Sequence, residues 1–519
     1  MHPAVEARLA RLSPDQLAAA TAPPGPVLCV APAGSGKTTT LVARIAWRLD
    51  CDAAASGAVC ALTFNRRAAE ELRDRLDGAL EPLGLPEGAV RVRTFHALGL
   101  EILRDAGRRV EPLLDRGEVI ADLLGGVVDR AHERRLDDAF SRFKLDAALD
   151  RVAASTAVAA AAPDDPARSL LEAYVAYEAE LERRGGIDFD DLVAQALRAL
   201  ESDQHLLDRW RRRSRTLVVD EAQDLDRSQL RLALLLAEPA NDVFLVGDDD
   251  QTIYAWRLAD VRRILDLAAR LPGLRRVDLV TNRRCPAVVV ERSARLIARN
   301  RERFAKRILA MPDASGVLEL RPDARDDVAR VRSLLADWAP ALRRPDGGTH
   351  AVLARTNREL APFAAVALEL DLPFRTESDG LEALDSAATD GGGRHRGRWA
   401  VGRSDAALTN DITEAISARA SLQRPDARLV LATAHGTKGL EFDVVASIGL
   451  DEGVFPSART LAEAEVPWRA LEEERRLAYV AWTRARRQLV LLYDPGAPST
   501  FVTEAFSPSE LDRAWSRRA

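Results

Sequence analysis

The chain is poor in the residues that staple small folds or clamp metals. Its four cysteines, Cys29, Cys51, Cys60 and Cys285, form no Cys-x-x-Cys pair, which argues against a zinc or iron–sulfur module. Three of them lie in or beside apolar runs, where reduced, packed thiols are expected. No apolar stretch is long enough to span a bilayer. The N-terminus, with Glu6 and Arg8 close together, lacks a signal-peptide core, so the expected compartment is cytoplasmic and no membrane partner is expected. An excess of one charge sign is also missing: 74 Lys plus Arg stand against 80 Asp plus Glu, a formal charge of −6. Any nucleic-acid site must therefore be a local basic cleft. What is present is a 47% hydrophobic composition over 519 residues, enough for sizeable cores and about three or four domains.

The most informative stretch is Ala31-Pro32-Ala33-Gly34-Ser35-Gly36-Lys37-Thr38. It follows the apolar run Val27–Val30, which reads as a buried parallel strand. It precedes Leu41, Val42, Ile45, Ala46 and Leu49 at helical spacing. Strand, small-residue loop, Lys-Thr and helix in that order make a phosphate-binding loop. Ala33, Gly34, Ser35 and Gly36 let backbone N–H groups wrap phosphates, and the helix N-terminus adds a favourable dipole. Lys37 would reach the β- and γ-phosphates, the Thr38 hydroxyl would hold Mg²⁺, and Thr39 follows in the same turn. The loop opens with Ala31-Pro32 where the general pattern has an early glycine. The chain is expected to bind a nucleoside triphosphate with Mg²⁺.

Upstream, Ser13 or Asp15 can cap a helix with Pro14 at its first position, and Gln16 has the two-faced amide that reads an adenine edge. Downstream, Val59–Phe64 and Val90–His96 each read as a strand ending in Thr-Phe followed by polar residues. Phe64 and His96 then face a ligand crevice or serve as core and capping groups; the residues alone allow both. Residues 100 to 185 carry helical spacing and an Ala-rich patch, Ala153–Ala162. Asp190 and Asp191 next to Phe189 read as caps or dipole partners of a helix, with a metal site as the lesser reading. The strand Thr216–Val219 delivers Asp220, suited to Mg²⁺, and Glu221, suited to orient an attacking water. Asp248-Asp249-Asp250 on its own is a solvated turn, but Gln251, Tyr254, Trp256 and Arg257 follow, and the two aromatics offer stacking faces to unpaired bases.

In order, these motifs resemble superfamily 1 DNA helicases of the UvrD, PcrA and Rep type. The series is Pro14–Gln16, Ala33–Thr38, Thr63–Asn65, Thr94–His96, Asp220–Asp224 and Gly247–Arg257. It continues with Thr281–Pro286, Thr433–Phe442 and Glu474–Arg484. The resemblance implies an α/β fold with two RecA-like domains, parallel sheets flanked by helices, and ATP bound between them. Residues 1–100 and 186–276 would form the first domain, with a helical insertion at 101–185. Residues 277–375 and 428–510 would form the second. Arg284 and Arg484 would act on the γ-phosphate, although Arg484 also reads as one member of a basic helix with Arg486 and Arg487. Glu441 would meet the ribose, or stand as a solvated turn residue before a buried strand. Gln251 would sense the γ-phosphate. Phe64, His96, Phe189, Tyr254, Trp256, Arg257 and His435 would face DNA.

Two departures from the family pattern stand out. Arg283 occupies the position of a tyrosine that stacks on adenine, so it would cover the base as a cation over a π face or leave it open. The helical 2B domain is replaced by a connector at 376–427 that includes Gly391–Arg398, which reads as a flexible basic loop. The expected activity is ATP-driven 3′-to-5′ movement on single-stranded DNA with duplex unwinding, in repair or replication restart. Single strands, single-strand/duplex junctions and repair or replication proteins are the expected partners. The alternative is a translocase that displaces bound proteins with little unwinding. A repair ATPase of the ABC kind needs a Leu-Ser-Gly-Gly signature, which the sequence lacks, and the few residues after Arg484 leave no room for a fused nuclease.

Overall fold

The computed structural model describes residues 1–52, 57–126, 129–377 and 422–517; the run Gly391–Arg398 lies outside them. The chain divides into two compact units, Met1–Ala31 with Gly36–Leu279, and Pro32–Ser35 with Val280–Ala519.

In the first unit six short strands form one sheet: β1 (Val27–Val30), β2 (Val59–Thr63), β3 (Arg91–Thr94), β4 (Thr216–Val219), β5 (Val243–Gly247) and β6 (Arg275–Asp278). Their order is β3-β2-β4-β5-β1-β6, and every pairing is parallel. Strands β1, β2, β4 and β5 are buried at every residue. Continuous Val/Leu-rich strands can only be satisfied in a sheet covered on both faces. Parallel strands need crossover connections, and helices Lys37–Cys51, Arg66–Leu80 and Arg227–Ala237 supply them after β1, β2 and β4. Leu41, Ile45 and Leu49 of the first helix and Leu72 and Leu76 of the second join Val27, Val59 and Phe244 in one core.

Between β3 and β4 the regular elements among the described residues are helices, joined by loops, apart from an isolated bridge between Leu113 and Ile187. Helices Arg116–Leu123, Arg130–Ser141, Arg151–Ala160 and Pro166–Arg184 enclose a separate small core of Val119, Leu136, Phe140, Tyr174 and Tyr177. One sequence expectation shifts here. Phe95 does not end a strand; it opens the helix Phe95–Asp105 and is 1% exposed. Thr94 Oγ1 accepts from Ala97 N at 3.2 Å, and an N-cap threonine ends the strand and starts the helix in one residue.

The second unit has a two-residue pair, β7 (Thr281–Asn282) with β8 (Leu309–Ala310). Its sheet comprises β9 (Val317–Pro322), β10 (His350–Ala354), β11 (Phe374–Thr376), β12 (Leu429–Thr433), β13 (Phe442–Ser447) and β14 (Ala485–Tyr493). The order is β11-β12-β10-β13-β14-β9, again parallel throughout. Two helix-flanked parallel sheets are the α/β architecture that the motif series implies. Arg484 is not in a helix as expected: the helix Pro467–Trp482 stops before it, and Arg486 and Arg487 belong to β14. The run Leu489-Val490-Leu491-Leu492-Tyr493 is a buried-strand pattern, and it carries the basic residues before it into the sheet.

Candidate functional site

The phosphate loop follows the carboxyl end of β1, the side of a parallel sheet where ligands bind. Gly36 is the residue before the helix Lys37–Cys51 and has φ +82°. A Cβ there would lie 2.5 Å from Gln16 Nε2, so only glycine allows both the left-handed turn and the approach of that amide. Gln16 is 4% exposed, and its Oε1 accepts from Ser13 N at 3.1 Å, tying it to the start of its own helix, Pro14–Ala20. Lys37 opens the helix after the loop, with Thr38 half-buried and Thr39 exposed in the same turn.

Strand β4 delivers Asp220 and Glu221 to the same end of the sheet. Lys37 Nζ donates to Glu221 Oε1 at 2.9 Å and to Oε2 at 3.0 Å. Glu221 is held at φ +51°, a left-handed conformation that costs a non-glycine residue roughly 1 kcal/mol or more. Its neighbours enforce it. Glu221 N donates to Asp220 Oδ1 at 2.9 Å, and Gln223 Nε2 donates to Glu221 Oε2 at 2.6 Å. Gln223 Oε1 accepts from Asp248 N at 2.9 Å, and Gln251 Nε2 donates to Asp248 Oδ2 at 2.7 Å. A continuous set of hydrogen bonds thus runs from Lys37 to Gln251. Asp248, Asp249 and Asp250 are 0% exposed, so they do not form the solvated turn that three consecutive acids suggest; they follow β5 into the interior. An ammonium, a hydroxyl and carboxylates at a helix N-terminus beside a glycine cradle fit a nucleoside triphosphate with a divalent cation.

A cleft of about 1280 Å³ in the same unit is lined by Phe64, His96, Phe189, Trp256 and Arg257. The aromatics are arranged in contacting pairs. His96 and Phe189 stack with centroids 3.9 Å apart and planes at 16°. Phe64 stacks on Tyr254 at 5.3 Å and 12°, and Trp256 meets Tyr254 edge-on at 6.0 Å. The Arg257 guanidinium lies 4.6 Å from the Trp256 ring centroid. Phe189 and Trp256 are each 55% exposed, so a face of each remains for a ligand, whereas Tyr254 backs Phe64. Burial pushes the His96 imidazole down to about 4, which keeps it neutral near pH 7. Helix Phe95–Asp105 approaches helix Asp191–Ser202 so closely that a Cβ on Gly99 would lie 2.2 Å from Leu192 O; that close packing sets His96 beside Phe189.

The charges lining this cleft are of mixed sign. Five arginines in its lining, Arg66, Arg73, Arg93, Arg116 and Arg257, stand against seven carboxylates. Burial pushes one of these, Asp226, up to about 7, which halves its charge near neutrality. Exposed aromatic faces, rather than an excess of positive charge, distinguish this cleft. Asp190 and Asp191 open the helix Asp191–Ser202, where the helix dipole favours their charge. Asp190 stands at the N-cap position without a capping hydrogen bond. Instead Asp190 pairs with Arg116 at 2.5 Å and Asp191 with Lys144 at 2.7 Å.

The second unit gathers the remaining motif residues. Arg284 Nε donates to Glu441 Oε2 at 2.8 Å, and its Nη1 donates to Thr483 O at 3.3 Å. Glu441 also lies 3.5 Å from Arg486, so it is an ion-pair partner and not merely a solvated turn residue. Arg484 is 1% exposed, with Nε donating to Val480 O at 2.9 Å and Nη1 to Leu440 O at 3.2 Å. Arg283 is exposed, with Nη1 3.6 Å from Met311 Sδ. His435 stands in the turn after β12, and burial, then Arg355, pushes its imidazole down to about 3. Loop residues Pro32–Ser35 group with this unit: Asn282 Nδ2 donates to Ala33 O at 2.8 Å, and Arg283 N donates to Gly34 O at 2.8 Å.

Three residues escaped the sequence reading. Gln223 orients Glu221; it sits inside the acidic run Asp220–Asp224, where its amide was the one visible signal. Asn282 joins the phosphate loop to Arg284 N and Cys285 N. Lys144 is 1% exposed in a segment with no motif, and nothing in the sequence marks it.

Family models match in two places. The UvrD/REP helicase N-terminal domain covers residues 12–272, and the UvrD-like helicase C-terminal domain covers residues 404–495. The chain is similar to the ATP-dependent DNA helicase UvrD2 of Mycobacterium tuberculosis, 31% identical over 558 residues, spanning 93% of this chain and 78% of that protein. It is 26% identical over 642 residues to the ATP-dependent DNA helicase PcrA of Leuconostoc citreum, spanning 95% of this chain and 84% of that one. Against the ATP-dependent DNA helicase Rep of Escherichia coli it is 31% identical over 311 residues, 58% of this chain and 45% of Rep.

Proposed function

The chain belongs to the UvrD/Rep helicase family, and we propose that it is an ATP-dependent DNA helicase that moves 3′ to 5′ on single-stranded DNA and opens duplex. The observation that carries this reading is the pairing, in one unit, of the Lys37–Glu221 contact with an aromatic cleft presenting Phe189 and Trp256. The first supplies phosphate chemistry and the second a stacking track for unpaired bases. In this reading residues 1–100 and 186–276 form the first motor domain around the insertion 101–185, and 277–375 with 428–510 form the second. Repair or replication restart is the setting, with single strands and single-strand/duplex junctions as substrates. Repair or replication proteins are the proposed partners, and the cytoplasm the proposed compartment. No helix among the described residues is long and apolar enough to cross a membrane.

The residues divide the chemistry as follows. Lys37 leaves Glu221 to meet the phosphates, and Glu221, still oriented by Gln223, becomes the acceptor for the attacking water's proton. Thr38 and Asp220 would hold Mg²⁺, which would supply charge neutralisation on the phosphate oxygens. Gln16 reads the adenine edge, Arg283 lies over the base, and Glu441 meets the ribose. The N–H groups of Ala33–Gly36 and the Thr39 turn cradle the phosphates. Arg284 and Arg484 act on the γ-phosphate and Gln251 senses it. Phe64, His96, Phe189, Tyr254, Trp256, Arg257 and His435 form the DNA contacts.

One observation favours the translocase alternative. The PcrA alignment runs over 642 residues although this chain has 519, so that relative carries interior residues without a counterpart here. This supports a reduced 2B domain, and hence strong movement on single strands with weak unwinding by one molecule. ATP turnover measured without nucleic acid, with single-stranded DNA, with duplex DNA and with single-stranded RNA tests the main reading, and an unwinding assay beside a protein-displacement assay separates it from the alternative. Turnover indifferent to single-stranded DNA sinks both.

A further inference from the structure

Phe189 sits in an unusually constrained segment. Its neighbours Asp188 and Asp191 close a ring around it: Asp191 N donates to Asp188 Oδ1 at 2.9 Å, and Asp188 N donates to Asp191 Oδ2 at 3.1 Å. Lys144 Nζ binds both carboxylates, at 2.9 Å and 2.7 Å, and also Glu178 at 2.9 Å. Tyr177 Oη donates to Asp188 Oδ2 at 2.7 Å. On the other side Asp190 Oδ2 accepts from Arg116 at 2.5 Å and from Ser141 Oγ at 2.6 Å. Lys144 and Asp188 are each 1% exposed, while Phe189 between these acids is 55% exposed.

A buried ionic cluster contributes little net stability compared with apolar packing, because each charge gives up its hydration. What it does impose is geometry: each carboxylate accepts from donors in fixed directions, and the backbone between them cannot turn. Burial alone would lower the Lys144 amine, but Asp188 and Asp191 hold it above its ordinary range. Burial likewise works against ionised Asp188, yet Lys144 and Arg116 hold it below the carboxylate range. The charged forms of Lys144 and Asp188 thus support each other, while burial pushes the carboxyls of Asp191 and Glu178 up. Arg116, Ser141, Lys144, Tyr177 and Glu178 all come from the helical region 101–185, whereas Phe189 follows it in sequence and stacks on His96 in the helix that follows β3.

We propose that Lys144, with Tyr177 and Arg116, is a positioning residue through which the helical region holds Phe189 at the stacking angle a nucleobase requires. The proposal rests on the single-strand reading of the cleft. Lys144 touches neither substrate nor nucleotide; it acts through Phe189, and any shift of the helical region is felt at the stacking face.

The test is a double-mutant cycle on the full chain, read by oligo-dT affinity, by quenching of 2-aminopurine in the oligonucleotide, and by DNA-free ATP turnover. Phe189→Ala weakens oligo-dT binding by about tenfold, the loss of one stacked base. Lys144→Met weakens it to a similar extent and relieves the quenching, yet the double variant binds no worse than Phe189→Ala alone. DNA-free turnover is unchanged in Lys144→Met. Tyr177→Phe removes one hydroxyl and no charge, so it keeps the test open where Lys144→Met fails to fold. It should weaken binding a few-fold in the parent and not at all beside Phe189→Ala. Additive losses overturn the positioning role while leaving the DNA reading of Phe189 intact. Parent-like binding by Tyr177→Phe, or by a folded Lys144→Met, also overturns it. Unchanged affinity in Phe189→Ala removes the DNA reading of that residue and the proposal with it.

Discussion

Lys37 Nζ sits 2.9 Å from Glu221 Oε1 and 3.0 Å from Oε2, two side chains 184 positions apart in sequence. Both are only partly exposed, 14% and 21% at the side chain. The lysine that would hold phosphate and the carboxylate that would accept a water proton therefore neutralise each other. Under the proposed function, phosphate binding would exchange one partner for another and free Glu221 when its charge is needed.

From this exchange, the two substitutions should fail differently. Lys37→Ala should abolish nucleotide binding and turnover together. Glu221→Gln should bind ATP at least as well as the parent, since Lys37 no longer has an ionised partner to leave, and should lose roughly 10²–10⁴ in turnover as a missing general base does. Binding of a fluorescent ATP analogue measured beside phosphate release checks both. Parent-like turnover in Glu221→Gln would remove this residue from the chemistry.

Gln223 holds Glu221 from one side and Asp248 N from the other. Gln223→Ala should lower kcat by about tenfold or more, the scale of one hydrogen bond to a charged group, with little change in KM for ATP. Gln223→Glu should do worse, because a second carboxylate would face Glu221. Steady-state kinetics with saturating single-stranded DNA decides the matter; a change confined to KM would assign Gln223 to binding instead.

Trp256 is half-exposed beside Arg257. Trp256→Ala should weaken oligo-dT binding by about one to two powers of ten, the worth of one base on one aromatic face, and should reduce DNA stimulation while leaving basal hydrolysis. Because arginines do not outnumber carboxylates in this cleft, the contribution lost should depend little on salt. A titration at two salt concentrations tests both parts; a loss that vanishes at high salt would point to phosphate contacts.

Two buried groups give opposite pH signatures. The His96 imidazole is depressed to about 4, so its contribution to stability is complete above the unfolded value near 6.5 and is lost as pH falls toward 4. The Asp226 carboxyl is raised to about 7, so its contribution is complete below the unfolded value near 3.9 and is lost as pH rises through 7. Asp226→Asn keeps an acceptor for Gln229 N and should gain on the parent as pH rises from 4 to 7. His96→Asn should instead show a shallower loss than the parent as pH falls over the same window. Thermal midpoints across that range measure both, and parallel curves for parent and variants would contradict the assignment.

Gly99→Ala should destabilise the chain by about 1–3 kcal/mol, as overpacking does, because the new methyl would meet Leu192 O at 2.2 Å. The helices should separate locally, parting His96 from Phe189, so oligo-dT affinity should fall with the thermal midpoint while the Lys37 site continues to bind ATP. An unaffected midpoint would mean that the two helices have room to give.

Much of this molecule is written in local pattern. Apolar runs such as Val27–Val30 and Thr216–Val219 can be buried only as strands covered on both faces, and each ends in the residues that face the ligand side. The phosphate loop, the Asp220-Glu221 pair and the position of Trp256 follow from such adjacency alone. The sequence also determined the family, through the order of its motifs. Long-range partners were not legible, because nothing in a one-dimensional string records which charge meets which. Asp190 and Asp191 read as caps or dipole partners and do open a helix, but no local pattern showed that Arg116 and Lys144, far away in sequence, would take their carboxylates. Asp248–Asp250 read as a surface turn until the end of β5 carried them inside. Arg484 read as helical until the β14 run beside it proved the stronger claim on the backbone. Local pattern settles which elements form, since each residue answers to its immediate neighbours. The pairing of buried charges depends on where distant elements come to rest, and only the tertiary structure decides that.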